Sequence, residues 1–94
     1  MGKLQNEEID NLFQAILSLE SVDECYRFFG DLCTEKEIID MSQRFEVASL
    51  LRRKMNYVEI SKKTGASTTT VSRVNKCLTY GNDGYLLAFE RLGK

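Results

Sequence analysis

Apolar residues recur along this chain at intervals of three and four, the period of a helix with one buried face. Ile9, Leu12, Phe13, Ile16 and Leu17 follow a polar, acidic start at Asn6, Glu7 and Glu8, which predicts a first helix. Ser21-Val-Asp-Glu24 has the spacing of a capping box, with Val22, Cys25, Tyr26, Phe29 and Leu32 as the stripe behind it. A second box, Thr34-Glu-Lys-Glu37, opens the longest helix, to about Lys54, with Ile38, Met41, Phe45, Ala48 and Leu51 on one face. Asn56-Tyr-Val-Glu59 starts a short helix that Gly65 closes as a left-handed cap. Ser67 then caps a helix to about Thr79. "YGNDG" (80–84) is a turn, and "YLLAFERL" (85–92) a final short helix. With no proline and no strand-like alternation, the pattern predicts an all-α fold of six helices in one domain, residues 1–94.

Composition adds limits. The chain is 94 residues long and 43% hydrophobic, enough for a small globular domain and too little continuous apolar sequence for a membrane span. Its first residues turn acidic at once, unlike a secretory signal, and Asn6 stands where N-myristoylation wants serine or threonine. Cys25, Cys33 and Cys77 are odd in number and irregular in spacing, and there is no histidine. Neither a zinc site nor a disulfide framework is expected, and reduced thiols in a cytoplasm fit best. The first two helices and the last are apolar over wide faces, so a homodimer sharing one core is expected beside the alternative of a monomeric bundle.

Charge is divided along the chain. Residues 1–46 hold four basic groups against eleven acidic ones, residues 47–94 nine basic against three acidic, within a net charge of −1. Arg52, Arg53, Lys54, Lys62, Lys63, Arg73 and Lys76 crowd one segment, opposed there only by Glu59. Such a stretch suits a polyanion, although a solvated helical face has the same composition.

Within that segment the spacing is that of a helix-turn-helix, about residues 57–79. Ser61 is a small residue that lets the second helix approach, Gly65 four places on allows a positive φ at the turn, and Ile60 is placed to meet Val71 and Val74. The first turn of the second helix is the part that enters the major groove in such motifs. It carries Thr68, Thr69 and Thr70, with Ser72 one turn on, as candidate base contacts: hydroxyls that bond base edges and methyls that meet thymine methyls. Ser/Thr clusters also serve as caps, so one of the four is expected to have that role instead. Arg52, Arg53, Lys54, Lys62, Lys63 and Lys76 are the candidate phosphate contacts. If about six phosphates are neutralised, log affinity falls against log salt with a slope near −5.

From "LCTEKE" through "MSQRFEVASLLRRKMNYVEISKKTGASTTTVSRVNKCL" to "LLAFERL", about residues 32–92, the sequence resembles the Trp repressor family, closest to its YerC/YecD type. "LLRRKM" and "GASTTTVSRVN" are the most telling elements. The resemblance implies an intertwined all-α homodimer that places two recognition helices one turn of DNA apart on a double-stranded operator. It also implies a corepressor pocket, with Arg44 and Arg73 where the family sandwiches an amino-acid ring, Thr34 near the wall, and Val74 and Cys77 beside them. Val74 stands where tryptophan-binding members have glycine, Cys77 where they have a serine, and the long helix is one residue shorter between Arg44 and Met55. Tryptophan is therefore not the expected ligand. A smaller amino acid such as histidine, or no corepressor at all, fits the narrowed site. Neither a metal nor another cofactor is expected, and no nucleophile–base pair or phosphate loop suggests an enzyme. The function expected is a sequence-specific transcriptional repressor. The alternatives are a helical protein-interaction adaptor and a non-specific nucleoid-type DNA binder.

Overall fold

A computed structural model describes residues 5–94, which places the Met1-Gly2-Lys3 start outside the described residues. The element order is α1 (Glu7–Leu17), α2 (Val22–Leu32), α3 (Glu35–Arg52), α4 (Tyr57–Thr64), α5 (Thr68–Tyr80) and α6 (Gly84–Leu92), with no strand among the described residues. The chain divides into two compact units between Ile38 and Ile39, inside the sequence of α3.

The predicted helix starts are made by local side-chain bonds. Ile9 N–H donates to Asn6 Oδ1 at 2.8 Å, and Glu24 N–H donates to Ser21 Oγ at 3.1 Å. The Ser21 box closes one residue early: Glu24 Oε1 accepts from the N–H of Glu20, at 2.8 Å. At Thr34 the box is reciprocal, Glu37 N–H donating to Thr34 Oγ1 at 3.1 Å and Thr34 N–H to Glu37 Oε1 at 2.8 Å.

In the first unit, neither α1 nor α2 has a buried residue. Val22 and Tyr26, expected in a buried stripe, are 73% and 75% exposed, as is Leu17 at 78%; Phe13 and Leu32 are exposed as well. Cys25 and Phe29 are half-buried. The apolar period was a sound guide to the helices, but a pair of short helices has no second layer to cover it.

The second unit holds the core: Val47, Ala48, Leu50, Ile60, Ala66, Val71, Val74 and Phe89, with Phe45, Leu51, Met55, Leu78 and Tyr85 packed against it. Here α3 buries Val47 and Leu50 as well as Ala48, so its inward face is wider than the stripe Phe45–Ala48–Leu51, because α4, α5 and α6 all supply partners to it. Phe45 stacks on Phe89 (centroids 5.0 Å apart) and on Tyr85 (6.4 Å). No buried polar side-chain atom among the described residues lacks a partner.

The long helix stops at Arg52, two residues before the expected end. Lys54 N–H donates to Leu51 O (3.0 Å) and Met55 N–H to Leu50 O (3.3 Å), with Lys54 at φ 66°. These are the bonds of a Schellman cap, which normally takes glycine at the left-handed position.

Candidate nucleic-acid interface

The bihelical unit is built from short-range bonds around Gly65. Its φ of 78° and ψ of −1° turn the chain, while its N–H still donates to Ser61 O at 2.9 Å. Ser61 does more than leave room: its Oγ donates to Ala66 O at 2.6 Å, tying the first helix to the far side of the turn. Thr64 Oγ1 donates to Ile60 O (2.7 Å) and accepts from Ala66 N–H (3.1 Å), and Gln43 Nε2 on α3 donates to Thr64 O (3.2 Å). Three side chains thus hold one turn from different sides. Ile60, Val71 and Val74 are buried together beneath it, as their spacing predicts.

That packing decides which way α5 faces. Val71 and Val74 point into the core, and Thr68, Thr69, Ser72, Arg73, Lys76 and Cys77 lie exposed on the remaining faces. Thr70 differs. It is half-buried, its N–H donates to Ser67 Oγ at 3.1 Å, and its own Oγ1 accepts from the Ser67 hydroxyl at 3.1 Å. Of the four hydroxyl residues, Thr70 is the one bound into the cap.

The cationic residues also separate. Arg53, Lys54, Lys62 and Lys63 are exposed, as is Lys76. Arg52 is engaged within the chain: its guanidinium lies 4.9 Å over the Phe89 ring, and Nη1 donates to the Lys94 carbonyl at 3.0 Å. Nothing near Arg52 in the sequence signals this, since its acceptor lies 42 residues away.

Of the residues expected at a ligand pocket, Arg44, Arg73 and Cys77 are exposed in the second unit. Val74, at 3% exposure, is part of the core. Thr34 belongs to the first unit, where its side chain caps α3. An open cleft of about 440 Å³ in the second unit is lined by Phe45, Cys77, Gly81, Asn82, Gly84, Tyr85 and Ala88. Only Cys77 belongs to both sets, and the cleft walls carry no charged side chain. Among the described residues, no group of three His, Cys, Asp or Glu could hold a metal ion, and no helix is long and apolar enough to cross a membrane.

The described residues thus form an all-α protein with a helix-turn-helix whose second helix presents a hydroxyl-rich start. The chain belongs to the Trp repressor family: residues 7–93 match the family described as Trp repressor protein, which is regulatory and not enzymatic. The match reaches 25 residues further toward the N-terminus than the likeness legible in the letters, so α1 and α2 are family elements too. The uncharacterized protein YerC of Bacillus subtilis (strain 168) is 54% identical over 92 residues, 98% of this chain and 88% of that protein. A crystal structure of a TrpR-like protein from Eubacterium eligens ATCC 27750 superposes with a TM-score of 0.95 at 58% identity, covering 99% of this chain and 96% of the other. A chain from Staphylococcus aureus described as a candidate Trp repressor gives 0.94 at 46% identity, covering 98% and 92%.

Proposed function

We propose that the protein is a sequence-specific DNA-binding transcriptional repressor that acts as an intertwined homodimer. The observation that carries this reading is the orientation of α5: its valines are buried while Thr68, Thr69 and Ser72 face outward from the helix start. In that position they read base edges in the major groove. Arg53, Lys54, Lys62, Lys63 and Lys76 grip the sugar–phosphate backbone, and Thr70 holds the helix start in shape. Arg52 is left with a secondary part in DNA contact because its guanidinium is already engaged.

The homodimer is supported by the first unit, which leaves Phe13, Leu17, Val22, Tyr26 and Leu32 exposed. A second copy supplies the missing layer, and a two-fold dimer matches a pseudo-palindromic operator, which it occupies to exclude polymerase. The corepressor in this reading is a small amino acid other than tryptophan, such as histidine, held between Arg44 and Arg73 with Cys77 beside it. Arginine guanidinium groups stack on a flat ring and pair with a carboxylate.

Selection of bound fragments from the host genome tests the reading, repeated with each free amino acid added. Enrichment of a motif with two half-sites about one helical turn apart is expected. Equal retention of all fragments would favour a nucleoid-type binder, and no retention an adaptor. An amino acid that sharpens the enrichment identifies the corepressor; identical selections with and without every amino acid remove it from the account.

A further inference from the structure

The backbone at Lys54 differs from the other left-handed helix ends of this chain. At Gly65 and Gly93 the residue with positive φ is glycine. The end of α6 even repeats the bond pair seen after α3, with Gly93 N–H donating to Glu90 O (3.1 Å) and Lys94 N–H to Phe89 O (2.8 Å). At the end of α3 the same position is filled by lysine. The other non-glycine residue at positive φ, Asp83, is of a type that enters this region readily; lysine is not.

The two backbone bonds of the cap and the packing of Met55 against the core hold the turn, but they would hold it equally with glycine at this position. Among the described residues, Lys54 takes part in no hydrogen bond or ion pair through its ammonium, which is exposed. Its neighbour Arg53 is a second exposed cation and offers it no opposite charge. A basic residue does complement the carbonyl end of a helix, but Arg52, in the last turn of α3, already provides that. A glycine here would relieve the backbone.

We propose that Lys54 is a stability-for-binding residue: its ammonium contacts a DNA phosphate at the α3–α4 corner, and that contact is what holds a lysine in a conformation suited to glycine. This rests on the DNA-binding reading above and adds to it why a lysine stands at this corner. A lysine acts on phosphate as a point charge, without the paired geometry an arginine fork needs, so the corner need only present it at the right distance.

Lys54→Gly and Lys54→Ala, compared with the wild type at one protein concentration, separate the two effects. The glycine variant is expected to melt a few degrees higher. On the duplex enriched by the wild type it binds about fivefold more weakly near 0.15 M salt, with a log–log salt slope shallower by about 0.9 per subunit, or about 1.8 for the dimer. The alanine variant loses the same affinity without gaining thermal stability, because alanine meets the same positive φ. A glycine variant that keeps wild-type affinity and salt slope overturns the proposal, as does one that melts lower. A wild type that binds no duplex overturns the DNA-binding reading itself, an outcome distinct from variants that bind as well as the wild type.

Discussion

Replacing Gly65 with alanine isolates one physical quantity, the energy of holding a side chain at positive φ. Gly65 sits at φ 78°, and a Cβ built there would meet only Gln43 Nε2, at 3.8 Å, an ordinary contact. The substitution therefore creates no clash, and its expense is the backbone alone, about 1–2 kcal/mol for an L-residue in the left-handed region. For a domain of 60–100 residues each kcal/mol lowers the melting temperature by about 4–8 °C, so a drop of roughly 4–16 °C is expected. Gly65→Asn should lose less, because asparagine enters that region more easily. Urea unfolding followed by circular dichroism, at a fixed protein concentration, gives both values, with an unchanged m-value showing that only stability moved. DNA affinity should fall as well, because the turn sets the angle at which α5 leaves α4. An alanine variant as stable as the wild type would refute the left-handed turn. A loss well above about 3 kcal/mol would refute the open space around Cβ.

Arg52→Ala should cost about 1–2 kcal/mol in stability, through loss of the Phe89 and Lys94 contacts, while changing the salt slope of DNA binding little; calorimetry and a salt series check the two halves. With Arg52 engaged internally, the five remaining cations give a slope contribution near −4.5 per subunit. Thr69→Ala should alter which operator sequence is preferred, whereas Ser67→Ala should cost about 1 kcal/mol of stability and leave sequence preference alone, read by selection and by melting. Tyr26→Asp, on the exposed face of α2, should shift the protein toward monomer in sedimentation and lower its melting temperature, whereas an unchanged mass would remove α2 from the dimer interface.

Five of the six helix starts were legible because each is made by a side chain bonding a backbone N–H three residues on, at Asn6, Ser21, Thr34, Asn56 and Ser67; α6, which follows Asp83, has no such bond. The bihelical core was legible for a related reason, since Ile60, Val71 and Val74 are fixed by helical period across one short turn. What escaped the sequence depends on distance or on a second surface. Arg52 reads as a free cation until Phe89 and Lys94 fold against it. Val22 and Tyr26 carry a buried pattern yet are exposed, because periodicity marks an apolar face without saying whether anything covers it. Lys54 ends a helix as glycine would, and no propensity argument places a lysine there. Thr70 was distinguishable only in outline: the cap role was anticipated for one of four residues, and the Ser67 hydroxyl shows which.

The central claim is that the exposed first turn of α5 meets base edges. Titrating the isotopically labelled protein with its selected duplex, and following backbone amides and threonine methyls by NMR, tests this most directly. The largest changes are expected at Thr68, Thr69 and Ser72, with smaller ones at Arg53, Lys54, Lys62, Lys63 and Lys76. Saturating DNA that leaves those three residues unmoved, with the changes gathered elsewhere, would contradict it.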